Sequence, residues 1–270
     1  MIDMHVHLYP DAMAERMLTV LSKTASVSVH TDGTAAGTRE KFREWGISCG
    51  VAMNITVSGR SMHKINDFAA EIQGNGILCF GSVHPEAKDV SSEVRRIKEL
   101  GLYGVKLHPV YQGFAADDPR MTDIYKEIER CGLPVTFHAG FDPAAPESDF
   151  ASSARIAQVA KGFPKLRIIA AHLGGLNRWD EMERTLLSRE NVYFDTAMLA
   201  DCWKGGKDKL ASVIRAHGIE KVLFGSDCPY SSPEKEAAFL RESGLTEEEL
   251  SYIFEVNAMK LLGQGKEPRE

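Results

Sequence analysis

The sequence lacks the features that mark several large classes of protein. Its 270 residues contain no apolar run of about 18 residues, so no transmembrane helix is expected. Lys and Arg number 32 against 38 Asp and Glu, and the net charge of −6 disfavours a nucleic-acid surface, which needs concentrated cations. A strand-like run that begins at residue 2 leaves no room for a signal peptide. These absences predict a cytoplasmic protein with no nucleic-acid or membrane partner.

Cysteine is also scarce. The five cysteines are scattered, odd in number and never spaced as C-x-x-C (Cys49, Cys79, Cys131, Cys202 and Cys228). This pattern predicts free thiols in a reducing compartment, and it argues against a disulfide framework or a cysteine-based zinc site.

Short β-rich runs alternate with amphipathic helical segments along the whole chain. Eight runs predict strands: Ile2–His7, Gly50–Ile55, Ile77–Val83, Tyr103–His108, Pro134–His138, Arg167–His172, Asn191–Asp195 and Lys221–Asp227. Strands that alternate with helices form parallel βαβ units, and eight units make a closed barrel. We therefore predict an α/β fold, a single (β/α)8 TIM barrel domain over residues 1–270. An open doubly wound sheet is the competing architecture, but no G-x-G-x-x-G motif follows an early strand.

The segments between the strands fit this architecture. Ser91–Leu100, Ile124–Cys131 and Glu181–Leu187 carry apolar residues on one helical face. A loop rich in Ser, Thr, Gly and Ala, roughly Thr24–Thr38, follows the first strand and is expected to lie over the barrel mouth.

The first predicted strand carries two histidines at alternate positions, in Asp3-Met4-His5-Val6-His7. Alternate side chains of a strand share one face, so His5 and His7 should point the same way and Met4 and Val6 the other way. Two neutral imidazoles side by side are a ready pair of ligands for a divalent metal.

Later predicted strands end in further residues that bind metals or transfer protons. His108, His138 and His172 end the fourth, fifth and sixth strands, and Asp227 ends the eighth. Active sites of (β/α)8 barrels lie at the carboxyl ends of the strands, so these side chains should converge on the first pair. Imidazole nitrogens and carboxylate oxygens suit one or two ions of Zn²⁺ or a similar divalent metal.

The roles of these residues remain open at this stage. Asp227 could bind the metal, act as a general base on a metal-activated water, or do both. His172 could be an acid/base group beside a single metal or, with His138, could hold a second one. His108 is expected to contact substrate, and His84, after the third strand, is a weaker candidate for the same role.

Lys106 needs its own explanation. Val105 and Leu107 should face the surrounding helices, so Lys106 should face the barrel interior together with His108. An unpaired ammonium group there is costly, so we expect a partner carboxylate, a lowered pKa or a chemical modification.

With these motifs the chain resembles the amidohydrolase superfamily of metal-dependent (β/α)8 barrels. It is most similar to the amidohydrolase-related (amidohydrolase 2) branch, which also contains non-oxidative decarboxylases. The resemblance spans nearly the whole chain and rests on seven motifs in order: Asp3-x-His5-x-His7, Gly104-Val-Lys-Leu-His-Pro, His138, His172-Leu-Gly-Gly, Val192-Tyr-Phe-Asp195-Thr, Phe224-Gly-Ser-Asp227-x-Pro229 and Asn257-Ala-Met-Lys-Leu-Leu-Gly.

The resemblance implies a role for each matching residue. It assigns metal binding to four of them (His5, His7, His138 and Asp227). It makes His172 a ligand of a second metal or a catalytic histidine. Lys106 falls where some members carry a carboxylated lysine that bridges two metals and others carry a glutamate.

Three functions are compatible with these residues. The first is a metal-dependent hydrolase, in which an activated water attacks a small amide, ester or lactone and Asp227 moves the proton. The second is a metal-dependent non-oxidative decarboxylase of a small carboxylic acid, with His172 or Asp227 as the proton donor. The third is a barrel that binds a ligand without turnover. The expected partner is a small-molecule substrate, and a homodimer is compatible with a cytosolic barrel.

Overall fold

The computed structural model describes residues 1–263. Within them, eight strands pair side by side, in parallel and in chain order. They are β1 (Ile2–Val6), β2 (Cys49–Met53), β3 (Ile77–Ser82), β4 (Val105–Leu107), β5 (Val135–Phe137), β6 (Ile168–Ala170), β7 (Val192–Asp195) and β8 (Val222–Leu223).

Helices connect these strands and surround them. They are α1 (Asp11–Ala25), α2 (Ala35–Trp45), α3 (Met62–Ile72), α4 (Val90–Glu99), α5 (Pro109–Gln112), α6 (Thr122–Cys131), α7 (Ser153–Gly162), α8 (Trp179–Thr185), α9 (Leu199–Cys202), α10 (Lys207–His217), α11 (Pro233–Arg241), α12 (Glu247–Ser251) and α13 (Asn257–Leu261). Short 3-10 helices occupy Pro119–Met121 and Ile219–Lys221, and a π-helical turn occupies Tyr252–Val256. In the described part of the chain, every helix is too short or too polar to cross a membrane.

The sheet closes because β1 also contacts the chain that follows β8. The Asp227 amide donates a hydrogen bond to the His5 carbonyl at 2.8 Å. The buried Asp3 carboxylate accepts one hydrogen bond from the Ser226 hydroxyl at 2.5 Å and another from the Ser226 amide at 3.0 Å. These contacts confirm the predicted (β/α)8 barrel, and they bring the first and last predicted site residues together.

Apolar side chains form a core inside the barrel and another around it. The inner cluster joins barrel-facing side chains to α13 (Ile2, Met4, Phe80, Leu223, Ala258 and Leu261). Phe80 is fully buried there, and burial of such a side chain stabilises a fold by roughly 1.5–3 kcal/mol. The outer cluster, between strands and helices, includes Val105 and Leu107. Lys106 between them therefore points into the barrel, as the alternation predicts.

Strand β1 departs from regular alternation. Its pairing with β2 shifts register between Asp3 and Val6. Met4 belongs to the inner cluster and Val6 to the outer one, so the prediction that they share a face is wrong. A bulge of this kind re-aims side chains, and here it leaves the rings of His5 and His7 as neighbours, with centroids 5.2 Å apart.

The strands are shorter than the sequence predicts. Strand β8 spans Val222–Leu223 and not Lys221–Asp227. In every strand except β7 the backbone leaves the ladder before the predicted end, and at His172 (φ 58°) and Asp227 (φ 71°) it enters the left-handed region. Such backbone is sparsely populated for residues other than glycine and often marks a functional site. The predicted loop after β1 is also shorter, because α1 extends to residue 25 and α2 starts at residue 35.

Candidate metal centre

The loops that follow the strands enclose a cavity of about 210 Å³. Apolar side chains and tyrosines supply part of its lining, and a row of titratable side chains supplies the rest (His5, His7, Lys106, His108, His138, Asp142, His172 and Asp227). Every predicted site residue except His84 lines this cavity. His84 is buried beside β3, and its Nδ1 accepts a hydrogen bond from the Glu86 amide at 3.3 Å.

His5 is held in one orientation by Asp195, at the end of β7. The His5 Nδ1 lies 2.8 Å from Asp195 Oδ2, so Nδ1 carries the hydrogen and Nε2 presents its lone pair. The other carboxylate oxygen accepts hydrogen bonds from the amides of His172 (2.8 Å) and Ala197 (3.2 Å). Burial alone would raise the pKa of Asp195, but the charge interaction and hydrogen bond with His5 lower it to about 2. Asp195 is therefore ionised and fixes the orientation of the His5 ring.

His7 and Asp227 meet beside His5. The His7 Nε2 lies 2.9 Å from Asp227 Oδ1, and the His5 Nε2 lies 3.5 Å from the same oxygen. Burial opposes ionisation of Asp227, but His5 and His7 outweigh it and hold the pKa of that carboxyl well below its usual range. Two imidazole nitrogens and a carboxylate oxygen thus converge within 4.8 Å of one another. This donor set suits a divalent cation.

His138 and His172 add two more nitrogens. Their other ring nitrogens contact backbone carbonyls: His172 Nδ1 lies 3.2 Å from the Ala197 oxygen, and His138 Nε2 lies 3.2 Å from the Phe141 oxygen. A carbonyl only accepts, so in neutral imidazoles these two nitrogens carry the hydrogens. The remaining nitrogens, His138 Nδ1 and His172 Nε2, then face each other as lone pairs 3.2 Å apart.

The facing lone pairs need an electron-pair acceptor between them. Burial lowers the pKa of both His138 and His172, which disfavours a shared additional proton. Two nitrogen ligands of one tetrahedral ion lie roughly 3.3 Å apart, close to the spacing seen here. The residues present therefore fit a metal, in the chemistry of their donors and in their spacing.

Lys106 lies among these groups without an ion pair. Its Nζ is 3.4 Å from His5 Nε2, and within residues 1–263 no carboxylate oxygen lies within 4.0 Å of it. Burial lowers the pKa of Lys106 to about 8, against the opposing effect of Asp195 and Asp227. Three arrangements were expected for Lys106. Among the described residues no carboxylate pairs with it, and its pKa is lowered, as the second arrangement predicts.

His108 lies in a stack of parallel rings. Its ring is 3.8 Å from that of Tyr111 and 4.3 Å from that of His138, centroid to centroid. Its Nδ1 accepts a long hydrogen bond from the Tyr111 amide at 3.4 Å, which leaves Nε2 as the donor. That nitrogen lies 3.5 Å from an oxygen of Asp142, a buried carboxyl whose pKa is raised by burial.

Sequence reasoning missed Asp142. It lies in the loop after β5 and approaches both His108 and His138, the latter at 3.7 Å. Its position depends on Gly140, whose backbone (φ 95°) runs against the backbone of Leu176. A single aspartate in a loop carries no pattern, so only the folded chain identifies it.

The cavity walls come from the loops and from α1. Leu21, Ala25 and Val27 approach from α1 and the residues after it. The hydroxyl groups of Tyr9 and Tyr230 form a hydrogen bond of 2.6 Å at the same rim. The cavity is therefore enclosed partly by apolar side chains and partly by phenol groups.

Gln112 stabilises the loops next to the site. It is buried, and it accepts a hydrogen bond from the His108 amide and donates two to the carbonyls of Thr56 and Val83, all at 2.8 Å. Its amide is thus fully used in joining three loops, and it does not line the cavity.

A family model described as amidohydrolase matches residues 2–264 of the chain. Among curated proteins, none matches it. Several solved structures are similar to this chain at the level of the fold. An uncharacterized TIM-barrel protein from Bordetella bronchiseptica is 21% identical, with a TM-score of 0.76 over 98% of this chain and 99% of that one.

Two further structures are similar at the level of the fold. The 5-carboxyvanillate decarboxylase of Sphingomonas paucimobilis is 17% identical, with a TM-score of 0.67 over 97% of this chain and 98% of that one. A protein of Pseudomonas putida assigned as a 2-pyrone-4,6-dicarboxylic acid hydrolase is 16% identical, with a TM-score of 0.68 over 98% of each chain. A decarboxylase and a protein assigned as a hydrolase therefore share this fold.

Proposed function

The chain belongs to the amidohydrolase family, and on this premise we propose that it is a metal-dependent hydrolase of a small amide, ester or lactone. The observation that carries the proposal is the convergence of His5 Nε2 and His7 Nε2 on Asp227 Oδ1, at 3.5 and 2.9 Å. All three groups line the cavity, so a substrate could reach them.

The proposed metal site uses the donor atoms that lie close to one another in the cavity. His5, His7 and Asp227 would form one side of it, and His138 Nδ1 and His172 Nε2 would form the other. Zn²⁺ is the ion we expect, because this set of nitrogen and oxygen donors suits it. When bound, a divalent cation supplies Lewis acidity, which polarises a carbonyl group and lowers the pKa of water.

The protein's own groups then have distinct tasks. Asp227 is held ionised and lies at the cavity surface, so its free oxygen can accept a proton from the attacking water and pass it to the leaving group. His108 lines the cavity and carries its hydrogen on Nε2, 3.5 Å from Asp142, so it could donate a hydrogen bond to a substrate bound there. The apolar walls exclude bulk water, which strengthens each of these electrostatic contacts.

A decarboxylase is the second candidate, and Lys106 favours it. This buried ammonium group has no carboxylate within 4.0 Å among the described residues, so a substrate carboxylate could pair with it. In that reaction the bond between the ring or chain carbon and the carboxylate breaks, CO₂ leaves, and His172 or Asp227 gives the carbon a proton that it has first taken from water.

Two measurements test the proposal. Metal analysis of the purified protein should find roughly one or two divalent ions per chain. His7→Ala and Asp227→Asn should lose most of this metal, whereas His63→Ala, on the surface of α3, should retain it. Full metal content in both His7→Ala and Asp227→Asn would contradict the metal site.

The second measurement separates the two reactions. The metal-loaded protein is offered esters and lactones, with released acid titrated at constant pH, amides, with released amine measured, and small carboxylic acids, with released CO₂ trapped. Acid or amine release that depends on Asp227 supports the hydrolase. Turnover confined to CO₂ release would replace it by the decarboxylase.

Two further expectations belong with this proposal. We infer a cytoplasmic location, which the five unpaired cysteines support. We also propose that the barrel spans the whole chain as one domain and that the protein forms a homodimer.

A further inference from the structure

A second groove lies beside the cavity, at the same end of the barrel. It has a volume of about 700 Å³ and runs between the loop after β6 and the segment after α9. Asn177 lines both the groove and the cavity. The backbone of Asn177 is left-handed (φ 54°), a strained conformation at the point where the two spaces meet. The proposed hydrolysis makes no use of this groove.

Two of the three tryptophans of the chain form its aromatic side. The rings of Trp179 and Trp203 pack edge to face, with centroids 4.8 Å apart. Trp179 Nε1–H donates to the His172 carbonyl at 3.0 Å, and Trp203 Nε1–H donates to the Gly206 carbonyl at 2.7 Å. Because both N–H groups are used, the rings are fixed. Trp203 is buried, so the half-buried Trp179 supplies most of the aromatic surface offered to a ligand, and Trp203 holds that ring in place.

The other side of the groove is rich in cations. Arg184 makes no ion pair or side-chain hydrogen bond with any described residue, and Lys204 contacts only the Asp201 carbonyl, at 3.3 Å. Arg178 contacts the Pro146 carbonyl at 2.9 Å.

Acidic side chains compensate only part of this charge. Lys209 pairs with Glu183 at 2.8 Å and with Asp180 at 3.9 Å. Glu181, the other acid of the groove, accepts a hydrogen bond from the Ala154 amide. An excess of positive charge therefore remains, on a protein whose net charge is −6.

We propose that this groove is a second binding site, for a planar aromatic carboxylate. A guanidinium group can hold a carboxylate through two parallel hydrogen bonds, and rigid indole surfaces pack against a flat ring. The site is connected to the catalytic cavity in two ways. Asn177 forms a shared wall, and Trp179 is bonded to the backbone of His172.

Intrinsic fluorescence tests the proposal. Benzoate is titrated into the full-length protein, with and without metal, and benzyl alcohol serves as the uncharged ligand of matched size. Benzoate should change the tryptophan emission saturably. Arg184→Ala should weaken benzoate binding by roughly threefold to tenfold, and it should leave benzyl alcohol unaffected. Arg43→Ala, an exposed arginine of α2, should behave as the parent.

The source of the tryptophan signal and the location of the ligand need separate variants. Trp45→Phe removes the tryptophan outside the groove and should retain the response, whereas Trp179→Phe should lose most of it. Binding that survives Arg184→Ala unchanged and disappears in Tyr111→Ala would place benzoate in the catalytic cavity and overturn the proposal. Because the titration works without metal, its outcome is independent of the proposed catalytic activity.

The carboxylate could belong to a separate molecule or to the distal end of a substrate. A separate molecule would leave KM unchanged for short and long substrates alike as benzoate is added. The end of a substrate would make benzoate compete with long substrates and not with short ones. Either result agrees with the groove as a binding site and shows which molecule occupies it.

Discussion

The imidazoles of His138 and His172 face each other nitrogen to nitrogen across 3.2 Å, and a backbone carbonyl fixes each ring from the other side. The pair is part of a longer row of rings. The His172 centroid lies 5.1 Å from that of His5, and the His138 centroid lies 4.3 Å from that of His108. The orientation of these donors is therefore set by the protein itself, and a metal would meet a site that is already arranged.

Asp195 should control metal affinity through His5. In Asp195→Asn, the side-chain amide cannot accept at both positions, so either the His5 ring or the backbone amide of His172 loses its acceptor. We expect metal affinity to fall roughly tenfold to a hundredfold, measured by competition with a chromophoric chelator. Asp123→Asn, on the exposed side of α6, is the matched control and should change nothing. Equal affinities in a folded Asp195→Asn protein would contradict this role.

Lys106 should matter for activity more than for stability. Lys106→Met keeps an unbranched side chain of similar length and removes the ammonium group. We expect kcat to fall by roughly 100-fold or more, because a polar group in the cavity is lost. The free energy of unfolding should stay the same or rise, because a buried ammonium without an ion pair is costly. A variant that is fully active would show that Lys106 has no role in the reaction.

Glu236 should make stability depend on pH. This buried residue of α11 accepts hydrogen bonds from the Ser231 hydroxyl at 2.7 Å and the Ala200 amide at 2.9 Å. Burial outweighs these bonds and raises the pKa of Glu236 from 4.5 to about 8. Between these values the unfolded chain releases the proton and the folded chain keeps it, so the free energy of unfolding falls as pH rises.

The comparison with Glu236→Gln isolates this effect. From pH 5 to pH 8 the parent should lose roughly 1–3 kcal/mol relative to the variant, measured by urea unfolding. Glutamine can accept from Ala200 and donate to Ser231, so the variant should fold. Parallel pH profiles for the two proteins would show that Glu236 is ionised in the folded state.

Two glycines should respond in opposite directions to alanine. At Gly140 the backbone is left-handed (φ 95°), and a Cβ would lie closer to the Leu176 backbone than any contact allows. Gly140→Ala should therefore cost more than about 2 kcal/mol and displace the loop that carries Asp142. Gly162, at the end of α7, has open space around it, and Gly162→Ala should stabilise the protein by roughly 0.5–1 kcal/mol. Thermal unfolding of both variants measures the contrast.

Much of the barrel could be predicted from the sequence because strands buried on both faces leave short, strongly apolar runs. Seven of the eight runs contain the observed strands, β2 begins one residue before its predicted run, and helices α4 and α6 begin within two residues of the predicted starts. The ends of the strands could not be predicted. They depend on where the backbone turns away, and at His172 and Asp227 it does so through a left-handed residue that no local pattern marks.

Site residues could be predicted where a residue type that binds metals or transfers protons falls at the end of a predicted strand, and not elsewhere. The histidines of β1, β5 and β6 are conspicuous because polar residues are rare at the ends of buried strands. The register shift within β1 and the approach of Asp142 depend on contacts between distant segments. Gln112 uses its side-chain amide for hydrogen bonds within the protein, at a point where three loops meet. The sequence does not distinguish this use from a contact with a ligand.

Anomalous diffraction from crystals of the metal-loaded protein tests the central claim most directly. The account predicts an anomalous peak within bonding distance, roughly 2.0–2.2 Å, of His5 Nε2, His7 Nε2 and an oxygen of Asp227. An ion bound elsewhere, with these three side chains in contact only with one another, would contradict it.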